Sequence, residues 1–236
     1  LLPAITLQIQ SAAFHFLITC RTSEDEIRKI VTNIFVFTIP VSAIGLCITY
    51  FCLGNLATAT KILMLLYFFS DIIYIGCGQI ARGLGKNFIY ATGAVVVSVF
   101  NMFGICIALL LLYSGLNGIL LSMLVSNLLG NLLIIARVKI LGYFSFSEIS
   151  TSKIKELLAY SWPMVPNALS NWVLSLSDRL VILSFLGIES NAVYAVANKI
   201  PNLVKTFQGT FTSAWQENAS LSVEDTDSKS YYSEMF

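Results

Sequence analysis

The chain has 236 residues, of which 56% are hydrophobic and 11% charged, and its net charge is +1. A soluble domain carries roughly 25% charged residues, so this sequence cannot cover a water-facing surface and must take lipid as most of its solvent. No basic tract for nucleic acid and no acidic tail stands out.

Mean hydropathy, +0.78, agrees with that reading. Cys20, Cys47, Cys52, Cys77 and Cys106 match no metal or redox spacing, and His15 is the single histidine. Neither a metal site nor a cofactor motif is therefore read, and the cysteines count as small apolar packing residues. The chain opens Leu1-Leu2-Pro3, with no Met and no basic leader, and closes on Tyr231 to Phe236 without terminal character. It reads as a fragment of a longer membrane protein.

A spanning helix needs about 20 apolar residues. In chain order, a short first run covers 1–18 and carries Gln8, Gln10 and His15. Polar residues from Arg21 to Lys29 separate it from a second run at 31–53. A turn at 54–60 leads to a third run at 61–78, and a loop at 79–87 to a fourth at 89–113. A turn at 114–117 leads to a fifth run at 118–136, followed by a polar linker at 137–156. The sixth run, 157–187, is too long for one simple span and contains Pro163 and Pro166, which predict a bend or break between 160 and 168. A tight turn at 187–191 and a seventh run at 192–216 complete the apolar part. The fifth run also repeats small residues every fourth position, at Ser122, Ser126 and Gly130, a pattern that lets helices approach closely within a bundle.

Alternate loops hold Arg21, Arg28 and Lys29, then Arg82 and Lys86, then Arg137, Lys139, Lys153 and Lys155, and finally Lys229; the intervening loops hold at most Lys61. The positive-inside rule places the basic side in the cytoplasm. Sliding the sequence on itself aligns Pro3, Gln10 and Glu26 with Pro201, Gln208 and Glu224. Both segments run from outside to inside, six spans apart. The expected fold is therefore an all-α, polytopic transmembrane helix bundle with two parallel six-helix halves in the full protein, a plan common among transporters. About seven of those helices are present here. Residues 1–145 form the N-terminal half without its first helix, and 146–236 the linker and first two helices of the C-terminal half.

Ionisable residues within apolar runs are Asp71, Asp178, Arg179, Lys199 and Lys205. Such groups are costly in lipid and usually face a bundle interior or wet cavity. Counted from the turn near 188, Asp178 and Lys199 sit at similar depth and are expected to pair across the hairpin. Lys205 is expected to snorkel, and Asp71 to serve helix packing, a water-facing surface or a coupling ion.

The stretch from Tyr160-Ser161-Trp162-Pro163 through Pro166-Asn167-Ala168-Leu169-Ser170-Asn171, continuing to Ser177-Asp178-Arg179 and to Tyr194-Ala195-Val196-Ala197-Asn198-Lys199-Ile200-Pro201, carries a resemblance. It resembles the start of the second half of Wzx-type oligosaccharide flippases, within the multidrug/oligosaccharidyl-lipid/polysaccharide exporter superfamily. The early segment Leu2-Pro3-Ala4 to Gln8, with Phe14 and the Glu24-Asp25-Glu26 loop, looks like their second helix. The resemblance implies a non-enzymatic transporter of the bacterial inner membrane that moves an isoprenoid pyrophosphate-linked oligosaccharide to the outer leaflet. Coupling to a proton or sodium gradient is an expectation of the same kind.

On that reading, Arg179 and Lys199 line a central cavity between the halves and neutralise pyrophosphate, Asp178 steadies Lys199, and Asn167, Asn171 and Asn198 contact sugar hydroxyls. The rival for these residues is a structural ion-pair set that fastens two helices. At the level of function, a drug or cation exporter would carry an acidic excess, whereas the in-membrane count is three basic against two acidic residues. A polymerase or acyltransferase needs acid/base groups and a sizeable outer loop, which one histidine and very short loops do not supply. A peptidoglycan-precursor flippase is the nearest alternative.

Overall fold

The computed structural model describes residues 5–54 and 56–222. Leu2, Pro3, Ala4, Glu224 and Lys229, on which parts of the expected resemblance, repeat and topology rest, lie outside the described residues. Among the described residues all regular structure is helical. The elements are α1 (Ile9–Thr19), α2 (Glu24–Cys52), α3 (Thr58–Gly83), α4 (Asn87–Leu110), α5 (Gly115–Val138), 3-10 turns at Ile140–Tyr143 and Phe146–Glu148, α6 (Thr151–Ser161), α7 (Met164–Ala197) and α8 (Lys199–Ser222). Helices α2 to α5 and the stretch Met164–Gly209 are each long and apolar enough to cross a membrane. The protein is a multi-pass membrane protein of the all-helical class.

Local chemistry sets most of these ends. Helix α2 starts after an extended Ser23 and carries Glu24, Asp25 and Glu26 in its first turn, where the helix dipole favours negative charge. Helix α3 ends at Gly83, and Gly85, at φ 74, returns the Lys86 amide to the Ala81 carbonyl at 2.8 Å. That left-handed step is one glycine makes without a Cβ clash. Pro40 lies inside α2 and, having no N–H, leaves the Val36 carbonyl without its helical donor.

Several boundaries depart from the sequence reading, while the break expected in the sixth run is present. The first run is interrupted at Leu7 and Gln8, both at positive φ, so α1 starts only at Ile9. The polar linker is largely ordered: two 3-10 turns lead into α6, whose N-cap Ser150 accepts from the Lys153 amide at 3.5 Å. The long sixth run is split at Trp162 and Pro163 between α6 and α7, where the two prolines predict a break. The expected outer turn at 187–191 contracts to one residue, Gly187, at φ 80 and ψ −177, within α7. Further on, the chain breaks again at Asn198, because Pro201 has no amide to offer the Ala197 carbonyl.

The structure divides into two compact units, Leu1–Leu169 and Ser170–Phe236. In the first, α5 lies against α4 and α3, while α1 lies against α2, α3 and α6. Its core gathers Ile9, Ala13 and Leu17 of α1, Ile30 and Ile34 of α2, Cys77 and Ile80 of α3, Ile134 and Val138 of α5, and Leu157 of α6. These residues cluster toward the end of the bundle that carries the basic loops. Toward the other end, Ile44, Ile48, Phe51, Leu111 and Leu112 are exposed, as suits a surface covered by lipid. Cys47, Cys52 and Cys106 are exposed too, and Cys77 is the fully buried cysteine, so most of these thiols face outward instead of filling the core.

The small-residue stripe of α5 forms part of its seam with α4. A Cβ on Gly104 would meet the Ser122 Cβ at 2.9 Å, and one on Gly130 would run into Val97 and come within 3.0 Å of the Tyr74 ring. Gly130→Leu is expected to destabilise the bundle by about 2 kcal/mol through overpacking, measured as an earlier midpoint in a detergent unfolding titration. An unchanged midpoint would remove the seam from the account.

Topology has its own check. With native cysteines removed, single cysteines at Gly115 and Glu189 are expected to react with an impermeant thiol reagent in intact cells, and one at Leu84 to stay unlabelled. The reverse pattern would invert the assignment.

Candidate functional site

Three constellations of polar side chains stand out against the apolar helices. The first, in the first unit, fastens the linker to the basic end of the bundle. Asn33 of α2 is fully buried. Its amide donates to the Lys29 carbonyl at 2.7 Å and to the Glu148 carbonyl at 2.9 Å, and its Oδ1 accepts from the Ser150 amide at 2.8 Å. Thr32 accepts from the Ser145 amide at 3.0 Å. Lys153 lies 3.8 Å from Glu26 and 3.1 Å from Glu156, and Lys29 lies 3.0 Å from Glu26. Above this layer the His15 ring stacks on Tyr160 at 4.2 Å, with the planes 5° apart. A polar crevice of about 340 Å³, lined by Glu26, Lys29, Glu148, Ser150 and Lys153 among others, opens here.

The basic residues used to assign sidedness also have structural work. Arg21 Nε donates to the Gly83 carbonyl at 2.8 Å, at the C-terminus of α3, and Lys86 Nζ donates to the Val138 carbonyl at 3.0 Å, at the C-terminus of α5. Cations are favoured at helix C-termini, where carbonyls lack helical partners. Arg82 lies 4.6 Å from the centre of the Phe14 ring.

The second constellation holds the residues expected to form the site. Asn167 lies on the part of α7 that belongs to the first unit; Asn171, Asp178, Arg179, Asn198 and Lys199 belong to the second. Asn167, Asn171, Asp178, Arg179 and Lys199 are exposed and Asn198 is half-buried. Across the bend at Gly187, Tyr194 Oη donates to Asp178 Oδ2 at 3.3 Å. Among the described residues Asp178 and Lys199 form no ion pair. The reason is register. With the reversal confined to Gly187, Tyr194 comes level with Asp178, and Lys199 lies five residues further on, roughly 7.5 Å along a helix axis. Asp178 is therefore held by a hydroxyl that the sequence reading did not consider, and Lys205 is exposed.

The third constellation joins α3 and α5. Asn127 Nδ2 donates to Asp71 Oδ1 at 3.1 Å. One turn on, Asn131 Nδ2 donates to the Ser70 carbonyl at 2.9 Å and its Oγ at 3.2 Å. Sequence reasoning singled out Asp71 but not its partners. The signal was present, because two asparagines four apart in an apolar run share one helix face. Further toward the other end, Thr60 Oγ1 donates to Asn117 Oδ1 at 2.7 Å. There a cavity of about 780 Å³ opens among α3, α4 and α5, lined by Leu63, Phe103, Ile107, Leu121 and other mostly apolar groups. Its mostly apolar lining suits hydrocarbon, and no lysine or arginine lines it to meet an anionic head group.

Comparison with known proteins gives one positive finding. No curated protein and no solved structure matches. The family of polysaccharide biosynthesis proteins matches over residues 5–215, nearly the whole chain and all of the three constellations. A multi-pass bundle of apolar helices with buried polar clamps thus acquires a biological setting: this chain belongs to the polysaccharide biosynthesis protein family.

Proposed function

We propose that the chain forms part of a Wzx-type flippase that carries an isoprenoid pyrophosphate-linked oligosaccharide from the cytoplasmic to the outer leaflet of a bacterial inner membrane. It acts by alternating access and is not an enzyme. The observation that carries this reading is the conjunction of a polysaccharide biosynthesis family with a chain made almost wholly of spanning helices. Among the described residues little lies outside the spanning helices, which supports the movement of a finished lipid-linked product over the activation of sugar donors.

In this reading residues 1–145 belong to one transmembrane half and 146–236 begin the next. Arg179 offers a planar fork to phosphate oxygens, and Lys199 a mobile point charge. Asp178 tempers their field, while Asn167, Asn171 and Asn198 contact sugar hydroxyls. The absence of an Asp178–Lys199 pair leaves Lys199 available to an anion. A proton or sodium gradient drives the cycle.

The test is genetic. The full-length gene containing this chain is expected to restore surface polysaccharide to a strain lacking its oligosaccharide flippase. Failure at normal membrane level would refute the reading. Restored growth of a strain lacking its peptidoglycan-precursor flippase, or drug resistance without polysaccharide, would select one of the rival transporters.

A further inference from the structure

We propose that Asp71 is the proton-carrying site of this protein, with Asn127 as the group that holds its charged form and couples its protonation to the contact between α3 and α5. The inference rests on the transporter reading for its purpose, though not for its geometry.

Depth is the first observation. The sequence reading ended the third run at 78, which put Asp71 near the inner loop. Helix α3 in fact runs from Thr58 to Gly83 and α5 from Gly115 to Val138. Asp71 and Asn127 therefore sit at the middle of their helices, roughly 18 Å from either end. A carboxylate there is far from bulk water on both sides.

Neutralisation is the second. Among the described residues no lysine or arginine pairs with Asp71; its one hydrogen-bond donor is the Asn127 amide at 3.1 Å. The titratable groups on the surrounding helices are few. Tyr67 and Tyr74 flank Asp71 one turn away on α3, and the Tyr74 ring rests beside Gly130 of α5. Cysteines aside, α5 offers none before Arg137, α4 offers Tyr90, and α1 offers His15, whose ring stacks on Tyr160. Helix α2 keeps its charges in its first turns, from Glu24 to Lys29, with Tyr50 near its far end. Among the described residues of the first unit no fixed positive charge pairs with the carboxylate, which leaves its charge to be offset by a cation that comes and goes.

The hydrogen-bond directions favour a proton over a metal cation. Asn127 and Asn131 both turn their NH₂ groups toward α3, one to Asp71 and one to Ser70. A sodium ion needs oxygens turned toward it, and these donors would oppose it. A proton needs only the second carboxylate oxygen, which has no described partner. Asn131 Oδ1 is buried without a hydrogen-bond partner, an acceptor left over when its NH₂ is committed to α3. On protonation Asp71 takes a proton at Oδ2, and its bond from Asn127 changes from charge-assisted to neutral and weakens. The α3–α5 contact thus differs between proton-loaded and proton-free states, as an alternating cycle requires.

The measurement is infrared difference spectroscopy on the full-length protein in lipid, between about pH 8 and pH 5. The carbonyl stretch of a protonated carboxylic acid is expected to grow on acidification of the wild type and to be missing from Asp71→Asn. Asn127→Ala is expected to move its midpoint to higher pH, since the charged form loses its donor. A band that persists in Asp71→Asn would overturn the proposal, as would one that answers to sodium chloride and not to pH.

In the flippase-null strain, Asp71→Asn is expected to lower surface polysaccharide about tenfold at normal membrane level, with Asp71→Glu intermediate. A packing residue would behave differently, because asparagine keeps a hydrogen bond to Asn127. Normal polysaccharide from Asp71→Asn would therefore sink the coupling role. If the wild type itself restored nothing, the function reading would fall, while the infrared band would still decide Asp71.

Discussion

Asn33→Leu is expected to release the linker from the basic end of the first unit and to lower stability by about 3 kcal/mol. The substitution keeps the volume and removes three hydrogen bonds at a fully buried position. The Lys29 carbonyl keeps its neighbours in α2, but the Glu148 carbonyl and the Ser150 amide lose their described side-chain partner. Each buried orphan costs about 1–3 kcal/mol, and water entering as the linker lifts limits the total. In inside-out vesicles the variant is expected to be cut by trypsin at Lys139, Lys153 or Lys155 much faster than the wild type. Asn33→Asp is expected to fall between, since it keeps the acceptor for Ser150 and loses both donated bonds. Wild-type cleavage rates in Asn33→Leu would mean that the ion pairs of Glu26, Lys29 and Lys153 hold the linker alone, which their partial exposure argues against.

Arg179→Ala is expected to reduce surface polysaccharide about tenfold in the flippase-null strain, at unchanged membrane level, with Arg179→Lys retaining part of the activity. Among the described residues Arg179 makes no ion pair, so its removal strands no buried partner, and a purely structural account predicts little effect. Loss of one charge-assisted contact to a phosphate is worth about 1.5–3 kcal/mol, which is about tenfold or more in binding. Tyr194→Phe provides the contrast. It deletes the hydroxyl that donates to Asp178 and leaves every proposed substrate contact in place, so polysaccharide within about twofold of wild type is expected. If Tyr194→Phe were the damaging change and Arg179→Ala the silent one, the hairpin would matter and the proposed contact would not.

The fold was legible because lipid imposes so few choices. With every backbone group obliged to bond within its own segment, apolar runs near 20 residues can only be helices. Gly83 and Gly115 then mark helix limits close to where the sequence reading put its loops, and Pro163 marks the break expected in the sixth run. What stayed hidden was register and side-chain commitment. The reversal at 187–191 has a glycine at its start, yet nothing in the sequence says that Gly187 alone makes the bend, and that difference replaced Lys199 by Tyr194 as the partner of Asp178. The linker read as polar and loose because its composition is polar. Its order comes from Asn33 and Thr32, more than a hundred residues earlier. Asp71 was visible as a charge in an apolar run, but its central depth appeared only once α3 was seen to continue through Gln79, Ile80 and Ala81.

The central claim, that the protein translocates a lipid-linked oligosaccharide, is tested most directly by reconstituting the full-length protein into vesicles carrying a fluorescent isoprenoid pyrophosphate-linked saccharide in both leaflets. An impermeant reagent that destroys the fluorophore bleaches only the exposed leaflet of protein-free vesicles, leaving about half the signal. With the protein present the account predicts loss of nearly all the signal, at a rate that falls with Arg179→Ala and with Asp71→Asn. A signal that stays at the protein-free level with correctly folded wild-type protein, under an imposed proton gradient of either direction, would contradict it.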